Sequence, residues 1–63
     1  MSKFDIAWET MVAHDIATED ECELVCHING WNIDSLNDIM YARTGYQDYD
    51  QWVEAEDIEE VLE

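Results

Sequence analysis

The chain has 63 residues and carries 17 Asp and Glu against two Lys and Arg, a net charge of −15. A chain this short is one domain that buries only about 60% of its unfolded surface, yet 48% of its residues are hydrophobic and three are tryptophan, which excludes a disordered acidic tail. The charge excludes anionic partners, nucleic acid and acidic membrane surfaces alike, and points to basic ones.

There is no proline and there are only two glycines, a composition that favours helices joined by short turns. The first predicted helix runs from Lys3 to His14. Phe4, Ala7, Trp8, Met11 and Val12 follow the i, i+3, i+4, i+7, i+8 pattern of one apolar stripe, with Asp5 and Glu9 off it and Ile6 on the far side. The second helix has the clearest start in the chain. In Thr18-Glu19-Asp20-Glu21 the Thr18 hydroxyl can accept the Glu21 N–H while Glu21 reaches back. Leu24, Val25 and Ile28 form its predicted main stripe, and Cys22 and Cys26 lie on the other flank, so this helix is expected to be covered on two sides. Gly30 suits the left-handed position that closes it. The third helix begins near Asn32 or Asp34, both good caps, and buries Ile33, Leu36, Ile39 and Met40. Gly45 ends it. Arg43 in its last turn can lay its stem over apolar surface while its head meets the helix C-terminus and a carboxylate.

The fourth segment opens with a second capping pattern, Asp48-Tyr49-Asp50-Gln51. Tyr49, Trp52 and Val53 share one helical face, whereas Ile58, Val61 and Leu62 share a roughly opposite one at 100° per residue. One straight helix cannot bury both against the same core. Either the backbone breaks between Glu54 and Asp57, the solution the pattern favours, or one face serves a partner. The predicted fold is therefore an all-α bundle of three to four short helices over residues 1–63.

The acidic residues divide by position. Glu19, Asp20, Glu21, Asp34, Asp48 and Asp50 fall at helix starts, where the dipole favours negative charge. Glu54, Glu56, Asp57, Glu59, Glu60 and Glu63 fall toward a C-terminal end, where carboxylates are unfavourable, and no lysine at i+4 relieves them. The functional surface is placed here first; the alternative is a solvated acidic tail that aids solubility. Read as one helix, Glu56, Glu60 and Glu63 form a row with neighbours about 5–6 Å apart, a spacing that a groove built to grip phosphates can accept. Glu54, Asp57, Glu59, Asp48 and Asp50 support that row, with Tyr49 and Trp52 as aromatic anchors at its rim or, alternatively, as members of the small core.

Other chemistries find less support. Cys22 and Cys26 sit on one rigid element at an offset that suits a disulfide badly; free thiols fit a reducing cytosol. With His27 and His14 they are the candidate zinc ligands, but His27 points away from both cysteines, and small buried hydrophobes are the better reading. Asp48 to Gln51 lacks the glycine and distal Glu of a calcium loop. His14 and His27 have no nucleophile or triad partner, so no enzyme is expected. Helix, Gly30 turn and helix outline a helix-turn-helix, but the would-be recognition helix carries Asp34 and Asp38 and would be repelled by phosphates. No apolar run approaches the ~20 residues of a membrane span, and Met1-Ser2-Lys3 leads straight into the first amphipathic pattern with no signal peptide.

The whole chain resembles the phage-encoded DNA-mimic inhibitors, and among them the small anti-CRISPR proteins. The stretch from Ile28-Asn29-Gly30-Trp31 to Ala42-Arg43-Thr44-Gly45-Tyr46 also reads like a small phage protein. The resemblance implies a non-catalytic inhibitor without a cofactor, acting in the cytoplasm of a bacterial host; the two apolar faces of the last segment allow a homodimer as well as a monomer, though self-repulsion opposes a dimer through the acidic face. Its target would be a basic DNA-binding protein, first a Cas effector whose PAM-reading groove it occupies, or else a restriction or DNA-repair enzyme. The rival expectation is a non-inhibitory acidic adaptor that docks on a basic partner through Trp52 and Tyr49.

Overall fold

A computed structural model describes residues 2–61, and within them the chain forms four α-helices and no strand: α1 (Lys3–Ala13), α2 (Glu19–Asn29), α3 (Ile33–Thr44) and α4 (Tyr49–Glu56). Each helix opens on a short polar side chain that accepts an N–H of the first turn. Ser2 accepts from Asp5 at 3.2 Å, Thr18 from Glu21 at 3.1 Å, Asn32 from Ser35 at 3.3 Å and Asp48 from Gln51 at 2.7 Å. Such a cap contributes about 1 kcal/mol, so these starts are encoded locally. In the fourth box the Gln51 side chain reaches back to the Gln47 N–H at 2.7 Å. In the second the reciprocal arm is diverted: Glu21 pairs with Arg43 of α3 instead.

The helix ends use four positive-φ residues, and two of them are not glycine. Asp15, at φ 58°, closes α1 with its own N–H bonded to Val12 O at 3.1 Å and the Ile16 N–H bonded to Met11 O at 2.9 Å, the paired bonds of a Schellman end. Asp57, at φ 52°, ends α4, with the Ile58 N–H on Val53 O at 2.9 Å. Gly45 ends α3, as expected, and does so in the left-handed conformation that was foreseen for Gly30. Gly30 itself does not adopt it. Its φ 115° and ψ 152° lie in the mirror-image extended region that only glycine enters readily. A Cβ there would also come within 2.9 Å of the Asn32 side chain.

α3 packs against each of the other three helices, which explains why it alone buries four residues: Ser35, Leu36, Ile39 and Met40. Ser35 is tolerated there because its hydroxyl donates to Gly30 O at 2.6 Å. Ala7 and Met11 of α1, Cys22 and Cys26 of α2, and Tyr49 and Trp52 of α4 complete the core with Ala17.

The second helix corrects the sequence reading. Leu24 and Ile28 are 61% and 73% exposed, while Cys22 and Cys26 are fully buried; Val25 alone of the predicted stripe is partly buried. The helix is covered on one side, not two. The Glu21–Arg43 ion pair joins α2 to α3, and the face of α2 turned to the core carries the small thiols of Cys22 and Cys26. Hydropathy ranked two large aliphatics above two cysteines, and the packing reversed that order.

The fourth segment breaks where the opposed faces required. Beyond Asp57 the chain turns back, Ile58 packs on the core, and the Val61 N–H donates to the buried Thr10 hydroxyl of α1 at 2.9 Å. Tyr49 and Ile58 thus reach the same core from different backbone directions. Leu62 lies outside the described residues.

Candidate acidic surface

The predicted row of Glu56, Glu60 and Glu63 is not a helical row. α4 ends at Glu56, and the left-handed Asp57 sends Glu60 onto the returning segment. The two carboxylates serve different tyrosines: the Tyr46 hydroxyl donates to Glu56 at 2.9 Å and the Tyr49 hydroxyl donates to Glu60 at 2.7 Å. Glu63 lies outside the described residues. Tyr49 (1% exposed) and Trp52 (4% exposed) are core residues and offer no aromatic anchor to a partner. They are buried because α4 lays that face on the bundle, with the Tyr49 N–H held by Asn37 of α3 at 2.9 Å. Glu54, Asp57 and Glu59 are exposed as expected, Asp50 is exposed, and Asp48 is half-buried at its cap.

The phenols record this environment. Burial pushes the Tyr49 hydroxyl up to about 12, with Glu60 adding to the rise and Thr10 opposing it. The hydrogen bond to Glu56 raises that of Tyr46. Burial likewise raises the Cys22 thiol to about 11, reinforced by Cys26 and Glu21, and it raises the Cys26 thiol too. Both cysteines are free and stay protonated at neutral pH. Among the described residues no group of three or more His, Cys, Asp and Glu is placed to hold a metal ion, and no helix is long and apolar enough to cross a membrane.

Sequence reasoning foresaw a carboxylate for Arg43 but missed the partner of Lys3. Lys3 forms an ion pair with Asp50, whose hydrogen bond is the main cause of its raised pKa, and its ammonium lies 5.5 Å from the centroid of the Tyr49 ring. Arg43 is committed to Glu21. These are the only Lys and Arg in the chain, so each cation is matched to one carboxylate in a surface ion pair and most of the other carboxylates have no cationic partner. Every helix also presents a carboxylate pair one turn apart: Asp5 and Glu9, Glu19 and Glu23, Asp34 and Asp38, Asp50 and Glu54. The i, i+4 spacing of these pairs was visible in the sequence. Their role as caps and first-turn residues hid the second use, because a residue that satisfies a helix end still projects its charge outward.

No protein-family model matches this chain, and no significant similarity to a curated protein or a solved structure was found.

Proposed function

We propose that the protein is an acidic mimic of DNA that occupies the phosphate-gripping groove of a nucleic-acid-binding protein and keeps DNA out. The observation that carries this reading is that both cations are already matched in surface ion pairs with Asp50 and Glu21, so that the rest of the 17 acidic side chains leave a surface of nearly one sign. The charge density supports it. A net charge of −15 over a longest extent of 30 Å is one charge per about 2 Å, close to the ~1.7 Å of duplex DNA. The interface is the set of helix-borne carboxylate pairs, with Asp57 and Glu59 extending it beyond Glu54, and it replaces the C-terminal row. The resemblance to small anti-CRISPR proteins makes the PAM-reading groove of a Cas effector the first target to test, ahead of restriction and DNA-repair enzymes.

The test is displacement of a labelled duplex from a Cas effector, followed by fluorescence anisotropy across a salt series. Competition should be complete at low salt and fall steeply as salt rises. The triple variant Glu23→Lys, Asp38→Lys and Glu54→Lys changes one exposed residue on each of three helices and no cap, and it should lose competition with the fold intact. Undiminished competition by that variant sinks the reading. A second reading, an acidic adaptor, draws support from the exposed Leu24 and Ile28 rather than from Tyr49 and Trp52. It calls for a partner whose binding survives high salt and is lost in Leu24→Ser.

A further inference from the structure

A groove on the outer side of α1 brings apolar faces and unmatched negative charge together. Phe4, Asp5, Trp8 and Glu9 line it from α1, and Trp31 lines it from the link between α2 and α3. The aromatic wall is ordered. Trp8 and Trp31 lie nearly parallel, 10° apart with centroids 5.8 Å apart, and Phe4 tilts 58° against Trp8 at 5.7 Å. Phe4 and Trp8 pack against the core, whereas Trp31 is 56% exposed. The mirror-extended Gly30 and the Asn32 cap flank Trp31 and set where it emerges.

The charged side of the groove is Asp5 and Glu9, one turn apart. Asp5 accepts the Ser2 hydroxyl at 3.0 Å. Glu9 Oε2 is shielded from solvent and accepts from no group among the described residues. Neither Lys3 nor Arg43 is available to it, because Asp50 and Glu21 hold them. A shielded carboxylate oxygen without a donor is an unfavourable arrangement, and because Glu9 lines the groove, rotation of its carboxylate toward the opening would let an incoming N–H relieve it.

We infer that this groove receives an arginine side chain presented by a basic protein partner. Charge complementarity selects a cation, and the rest of the site selects which one. A guanidinium is planar and weakly hydrated, so it stacks on an indole while its in-plane N–H fork meets a carboxylate. A lysine ammonium is a compact, strongly hydrated point charge that gives up more hydration to enter such a site and has no planar face to stack on the indole. A quaternary ammonium has no N–H for Glu9, and a neutral apolar group would shield that charge further without a partner. The inference rests on the proposed function for the source of the arginine, and it adds a contact that DNA itself could not make.

The experiment is a titration of the ¹⁵N-labelled protein with N-acetyl-Gly-Arg-Gly-amide, read at the indole N–H signals. Matched peptides carry lysine or the neutral isostere citrulline. Trp52, in the core, is the internal control. The arginine peptide should move the Trp8 and Trp31 signals saturably and leave Trp52 in place. Lysine should bind about threefold more weakly and citrulline about tenfold more weakly. Trp31→Ala and Glu9→Gln should each weaken binding about two- to fivefold, with the Trp52 signal unchanged as evidence that the fold survives. Equal binding of citrulline or lysine, no saturable shift, or unchanged affinity in both variants overturns the inference. Neither DNA nor a target enters this titration. Failure here with DNA competition intact therefore removes only the groove, and the converse removes only the mimicry.

Discussion

Replacing Asp15 by glycine should stabilise the protein, although it deletes a side chain and adds a glycine. Asp15 sits at φ 58° and closes α1 through its own N–H to Val12 O and that of Ile16 to Met11 O. An L-residue in the left-handed region carries about 1–2 kcal/mol of steric penalty, less for Asp than for most. Its carboxylate also faces the negative end of the helix dipole, unfavourable by about 0.3–1 kcal/mol. Glycine removes both and gives back about 0.5–1 kcal/mol through the greater freedom of the unfolded chain. The net gain is about 1 kcal/mol, which in a domain of this size raises Tm by about 4–8 °C. Urea titration followed by tryptophan fluorescence, with a parallel thermal melt, measures it. Asp15→Asn separates the two causes, because it removes the charge and keeps the L side chain; it should gain about 0.3–1 kcal/mol. If Asp15→Gly gains nothing, or no more than Asp15→Asn, the strain assigned to the left-handed turn is refuted.

The inverted faces of α2 predict opposite outcomes for two serine substitutions. Leu24→Ser should change stability by less than about 0.5 kcal/mol, whereas Cys22→Ser buries an unmatched hydroxyl and should cost about 1–3 kcal/mol by urea denaturation. Thr10→Val keeps the shape of a buried side chain but removes the acceptor of the Val61 N–H; amide hydrogen exchange at Val61 should accelerate well beyond that at Met40. Alkaline titration should also unfold the protein. Cys22 and Tyr49 have folded pKa values of about 11 and about 12, raised from 9.0 and 10.0. Their contribution is complete below pH 9 and is lost as pH rises through 11 to 12, because the unfolded chain releases those protons first. A flat stability profile between pH 9 and 12 would contradict the burial assigned to both groups.

Much of the architecture was legible in the amino-acid order. Thr18, Asn32 and Asp48 announced three helix starts, Gly45 announced an end, and the stripes of α1 and α3 named their buried faces. Arg43 was correctly aimed at a carboxylate. These features are local: a cap acts within three residues and a stripe repeats every 3.6, so the information lies along a short stretch of chain. The break in the last segment was legible for a related reason, since two opposed apolar faces cannot both be satisfied by one straight rod. Its position was narrowed to Glu54 through Asp57, and the left-handed Asp57 ends the helix within that window.

Only the tertiary structure decided the rest, and each case turned on a neighbour distant in the chain. Whether Leu24 or Cys22 entered the core depended on which side of α2 faced the bundle. Whether Tyr49 and Trp52 anchored a partner or filled the interior depended on the bundle surface that α4 met. Glu60 left the expected row because Asp57 turned the chain back toward Thr10, 51 residues from the Val61 amide it receives. The count of charges was complete in the sequence. The pairing of Lys3 with Asp50 and of Arg43 with Glu21, separated by 47 and 22 residues, decided which two carboxylates are matched by a cation. Periodicity and composition state what a residue can do; packing selects which of those things it does, because burial is a property of the surroundings and not of the side chain.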